Sequence, residues 1–160
     1  MVAASVWDTL VPVIVGGGIA VIGGLIGPPF LHRLQKQTDK QKKRAEKFEE
    51  LVATTYEFDD WIDQHRTNWV LGAGATKENL SPFGKLHAIV LVHFPELEPD
   101  TEKFDTAALA YRSWMYQAGR KRLAKEQGYA DDFQENYKKY MEERNAFVSK
   151  LQSLSRTEFK

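Results

Sequence analysis

The chain has 160 residues, 22 Lys and Arg against 22 Asp and Glu, zero formal net charge and no cysteine. Balanced charge argues against a general nucleic-acid binder with a broad basic face. The lack of cysteine removes disulfides, thiolate metal sites and cysteine nucleophiles together. A charged fraction of 28% with 12% aromatics suits a globular chain rather than a disordered one.

The balance is not local. After a short tail, residues 1–8, the run Thr9 to Leu31 contains no charged side chain. About 20 apolar residues at 1.5 Å rise cross a ~30 Å hydrocarbon core, so 9–31 is long enough to be a transmembrane helix. A cleaved signal peptide is disfavoured because the tail carries no Lys or Arg and the run exits through Gly27-Pro28-Pro29-Phe30. A buried core helix is disfavoured because such helices rarely stay uncharged for six turns. The run therefore reads as a signal-anchor.

Seven bases follow it, Arg33, Lys36, Lys40, Lys42, Lys43, Arg44 and Lys47, against none before it. This asymmetry predicts a cytoplasmic C-terminal domain and an outside N-terminus, in a cell membrane of the bacterial inner-membrane type, with Trp7 at the outer interface.

Within the span, Gly16, Ala20, Gly23, Gly24 and Gly27 fall on one helix face at 100° per residue. The small-xxx-small spacing predicts close helix packing and a homo-oligomer through the membrane helix, against the plainer reading that glycine is common in membrane helices. Pro28-Pro29 is expected to end or kink the helix.

Residues 32–47 form a basic neck with few apolar side chains, expected to lie against anionic lipid headgroups, at about 1 kcal/mol per base, or to act as a topology determinant alone. No proline or glycine occurs from Leu31 to Leu71, which predicts one continuous helix, or two end to end, of roughly 60 Å. Its second half carries Ala45, Phe48, Val52, Thr55, Ile62 and Trp69 at three-four spacing, flanked by Leu51, Phe58 and Trp61. Between Phe48 and His65 lie six acids and no Lys or Arg. Glu57, Asp59, Asp60, Asp63 and His65 do not share one face, so they read as a solvated acidic face rather than a metal site.

The domain 48–160 continues with a loop, 72–79, lacking any phosphate-binding pattern. Ser81-Pro82 is expected to cap a helix over Phe83 to Phe94 that is apolar nearly all round and therefore buried, with His87 partly buried and hydrogen-bonded. Residues 94–99 read as a connector. Asp100 is expected to cap a third helix with an inward stripe Phe104, Ala108, Tyr111, Met115 and Ala118 and a stop at Gly128. Its late bases Arg120, Lys121, Arg122 and Lys125 would complement the helix dipole or pair with the acidic stretch. A last helix is expected over about Asp131 to Leu154.

The fold class expected is all-α, a single N-terminal transmembrane helix followed by a cytoplasmic bundle of about four helices. No nucleophile elbow, Walker loop, dinucleotide fingerprint or zinc spacing is present. The expectation is a non-enzymatic, membrane-anchored interaction module without cofactor or metal, whose partner is an unidentified protein at the cytoplasmic face or another copy of itself. The alternative is a small accessory subunit of a membrane transporter, channel or lysis complex.

Overall fold

The computed structural model describes residues 6–72 and 80–159; at 6–31, 33 and 34 it describes the helical backbone alone. All regular structure among the described residues is helical: α1 (Val6–Arg66), α2 (Phe83–His93), α3 (Glu98–Leu123) and α4 (Phe133–Glu158). Among the described residues no helix is long and apolar enough to cross a membrane. The side chains of the stretch 9–31, and with them Trp7 and the glycine face, lie outside the described residues, as does most of the loop, 73–79.

The chain divides into two compact units, residues 1–44 and 45–160. In the first, the helical segment leaves Gln35 through Lys43 exposed, as its polar composition requires. The helix does not end at Pro28-Pro29; α1 continues across both. Proline's fixed φ near −65° is itself helical, so a proline pair removes two hydrogen bonds without forbidding the helical path.

The second unit is an up-down-up-down bundle. α1 enters it with Phe48, Leu51, Phe58 and Ile62 buried on one face, the three-four stripe of the sequence. Thr54 and Thr55 are buried beside them, their hydroxyls donating to the carbonyls of Glu50 and Leu51 at 2.8 and 2.9 Å, so the polar groups are satisfied within the helix itself. After Arg66 the helix widens into a π-turn, Thr67–Leu71, and stops at Gly72, whose φ of 74° is left-handed.

α2 starts at Phe83 with Pro82 rather than Ser81 in the capping position, one residue later than expected, and the Ser81 hydroxyl accepts from the Phe83 N–H at 3.3 Å. It is not buried all round, however. Leu86, Ile89 and Val90 are inside, whereas Leu91 and Val92 are 57% and 68% exposed and His87 is exposed. An 11-residue helix packs one face on its neighbours, and nothing among the described residues covers the other. The connector is helical too, a 3-10 turn Pro95–Leu97 running straight into α3. Asp100 therefore sits inside the first turn of α3 rather than capping it.

α3 buries Thr101, Phe104, Ala108, Tyr111, Met115 and Ala118, the predicted stripe extended by one position. It stops before Gly128. Glu126 N–H donates to Lys121 O and Lys125 N–H to Arg122 O, both at 3.0 Å, with Lys125 at φ 60°. That is a Schellman stop with lysine in the left-handed position; Gly128 serves the next turn, at φ 70°.

α4 runs one turn further than expected and inserts Tyr140, Phe147 and Leu151. Ring pairs give the helix directions. Phe58 meets Phe104 at 5.6 Å, and the Trp69 carbonyl meets Arg122, so α1 and α3 run parallel. Phe48 meets Phe159 and Asp59 meets Tyr140, so α4 runs antiparallel to α1. Phe104 lies at the centre, also contacting Phe147 at 5.5 Å and Tyr140 at 5.9 Å.

Candidate interaction surface

The acidic stretch of α1 is not a uniform solvated face. Asp59 turns inward: its Oδ2 accepts from Arg144 Nε and Nη2 at 2.8 and 2.6 Å, and its Oδ1 accepts from the Tyr140 hydroxyl at 2.7 Å. Both charged side chains are about four-fifths covered, so the pair is a tie between α1 and α4. Burial, then the bond to this carboxylate, pushes the Tyr140 hydroxyl far above the usual tyrosine range.

Glu50 is held by Lys47 of its own helix and by Lys85 of α2, and these two hydrogen bonds lower its pKa. Asp63 pairs with Arg66 at 2.9 Å. His65 Nδ1 donates to the Trp61 carbonyl at 2.9 Å, since a carbonyl only accepts. Among the described residues no three His, Asp or Glu side chains are placed to hold a metal. Glu57 and Asp60 remain exposed on the outside of α1.

Of the neck bases, Lys36, Lys40, Lys42 and Lys43 are exposed, Arg44 is half-exposed and Lys47 is engaged by Glu50; the Arg33 side chain lies outside the described residues.

The seam between α1 and α3 is built by close backbone approach. A Cβ at Gly119 would stand 3.0 Å from the Trp69 carbonyl oxygen, so glycine lets the π-turn settle onto α3. Arg122 Nε then donates to that carbonyl at 3.2 Å, and the guanidinium lies where a Cβ at Gly72 would be. The base expected to complement the dipole or meet an acid instead donates to a main-chain oxygen within the π-turn.

Along this seam, Trp69 and Tyr116 meet tilted at 4.9 Å, the buried Trp61 meets His65 tilted at 3.8 Å, and the Arg112 guanidinium lies 4.8 Å over the Trp61 ring. A furrow of about 330 Å³ is lined by His65, Trp69, Leu109, Arg112, Met115 and Tyr116. A second, of about 470 Å³, shares Trp69 and Tyr116 with it and continues past Gly119 and Arg120 to Leu123.

Leu109, Tyr116 and Leu123 are 52%, 49% and 75% exposed, and they stand seven residues apart. That spacing makes one nearly straight apolar ridge along the outside of a helix. Between Thr106 and Lys125 the chain carries five bases and no acid. Sequence reasoning assigned α3 an inward stripe and passed over this second one. The heptad spacing of the leftover apolar residues was the available signal.

A larger groove, about 670 Å³, opens between α1 and α4 and is lined by Phe48, Val52, Tyr56, Val148 and Leu151, among others. Its charges are mixed, Glu49 with Arg156.

Inside the bundle, Tyr111 has a buried hydroxyl without a well-formed hydrogen bond among the described residues, and burial raises its pKa to about 12, with the Arg66 charge acting in the opposite direction. Asp105 on α3 is raised by burial, opposed by the charges of His87 and Arg112. No protein family, no curated protein and no solved structure matches the chain.

Proposed function

We propose that this chain is a single-pass, membrane-anchored interaction module without catalytic chemistry. Residues 9–31 are the anchor, 32–47 a neck on anionic headgroups, and 48–160 a helical domain that offers a protein-docking face in the cytoplasm. One observation carries the reading: an uncharged 23-residue run passes directly into a seven-base segment. Uncharged length supports spanning, and the one-sided bases support orientation. The acidic stretch beyond the neck is repelled by an anionic surface, which favours a domain standing clear of the lipid.

The test is fractionation together with a topology reporter. Alkaline carbonate is expected to leave the full chain in the membrane pellet, and a C-terminal reporter is expected to be active only in its cytoplasmic form. Recovery in the soluble fraction would overturn the anchor.

The small-residue face Gly16, Ala20, Gly23, Gly24 and Gly27 favours a second reading, an accessory subunit of a transporter, channel or lysis complex, packed helix to helix. Purification in mild detergent separates the two, because an obligate subunit carries its complex with it.

A further inference from the structure

We infer that the α1–α3 seam docks a second copy of this chain, the acidic strip of α1 in one copy meeting the basic ridge of α3 in the other. The inference names the partner that the reading above leaves open, and it relies on that reading for the placement of the two chains.

The ordering of side chains across the seam carries the argument. On α1, Glu57 and Asp60 lie about 40° and 100° from Trp61, on the side away from His65 and Trp69. The other bank is α3, with Arg112 and the ridge of Leu109, Tyr116 and Leu123. From one edge to the other the surface therefore reads acid, aromatic furrow, base. Acid and base face each other across the furrow at the level of Trp61; Asp105, one heptad before Arg112 on α3, and the bases from Arg120 onward lie further along it.

That polarity selects the symmetry. A two-fold interface is isologous, so each strip meets its image or its complement according to the axis. An axis perpendicular to the two helices at the level of Trp61 sets Asp60 on Asp60 and Arg112 on Arg112, which is repulsive. An axis parallel to them sets acid on base. Arg112 stands over Trp61, level with Asp60, so the parallel axis faces Asp60 of one copy with Arg112 of the other, twice per dimer. Since α1 and α3 are themselves parallel, both chains then enter their domains from the same side.

The ridge from Leu109 to Leu123 is roughly 20 Å long, so the contact is at the small end of specific interfaces. Confinement to a membrane raises the effective concentration enough to populate such a contact.

The experiment uses the full chain in membrane vesicles. Because the chain has no native cysteine, Ser113→Cys places a single thiol beside the furrow, and a short bismaleimide is expected to join two copies. Adding Arg112→Glu should lower the cross-linked yield roughly tenfold, Asp60→Lys on the other helix should do the same, and the two together should restore it. Proximity through the spans alone is indifferent to these reversals, so yields that ignore both overturn the inference. Absence of any cross-link overturns it as well; that is the outcome if an acidic helix of another protein fills the furrow. Circular dichroism accompanies each variant, and should Arg112→Glu unfold, the exposed Asp60→Lys decides alone. Carbonate extraction of the same vesicles reads the anchor separately, so either proposal can fail without the other.

Discussion

The two flanks of α1 inside the bundle use charge in opposite ways. Toward α4, Asp59 faces inward and is satisfied by Arg144 and Tyr140, which leaves little of either charge at the surface. Toward α3, contact is made by a glycine, a main-chain carbonyl and tilted rings, while Glu57, Asp60, Arg112 and Arg120 remain outside. A flank that consumes its charges holds the fold together. One that leaves them exposed beside an apolar furrow is suited to something outside the fold.

Breaking the α4 flank should have the largest effect. Arg144→Leu leaves a mostly covered carboxylate without its cation, and stability is expected to fall by about 2 kcal/mol, below the 3–5 kcal/mol of a fully buried pair because water still reaches this one. Adding Asp59→Leu should recover much of that loss, since an apolar pair replaces the ion pair. Chemical denaturation of the three variants checks this, and a double variant no better than the single would mean that Asp59 contributes packing rather than charge.

On the α3 flank, Gly119→Val forces two methyl groups toward the Trp69 carbonyl and should cost about 1–3 kcal/mol as overpacking. Its signature should be local: the fluorescence of Trp69 shifts while the α4 flank keeps its protection in hydrogen exchange.

The smallest effect concerns Tyr111, which lies between the flanks. Its hydroxyl is buried without a good partner, so Tyr111→Phe is expected to be neutral or to stabilise by up to about 1 kcal/mol. The folded pKa is raised to about 12, so the unfolded chain releases its proton first, near pH 10. Stability should therefore be intact below about pH 10 and decline toward pH 12, and the phenylalanine variant should lessen that decline, the share of Tyr140 remaining. Melting temperatures across this range read it.

The stripe Phe104, Ala108, Tyr111, Met115 and Ala118 was legible because burial on a helix imposes a period that local sequence displays. Asp59 was not legible. It sits among five other acids, and its partner Arg144 lies 85 positions away, a separation about which periodicity says nothing. Leu91 and Val92 were misplaced inside because hydrophobicity reports what a side chain tolerates, and the packing of a short helix decides which sides are covered. The stop at Lys125 was hidden because two main-chain hydrogen bonds outweigh the usual preference for glycine.

The buried threonines have a consequence for alignment of the helices along one another. Thr54, Thr55 and Thr101 all return their hydroxyls to carbonyls four residues back along their own stretch of chain, Thr101 to the 3-10 turn that leads into α3. Their polar groups thus say nothing about the height at which neighbouring helices stop sliding. Aromatic faces tolerate axial displacement, because rings accept several tilted and stacked poses. The Asp59 carboxylate does not tolerate it: a slip of one turn, about 5.4 Å, carries it out of reach of both Arg144 and Tyr140. The cluster at Asp59 thus fixes the register of α1 against α4, a vernier mark among smoother ring contacts, as the Arg122 bond to the Trp69 carbonyl is for α1 against α3.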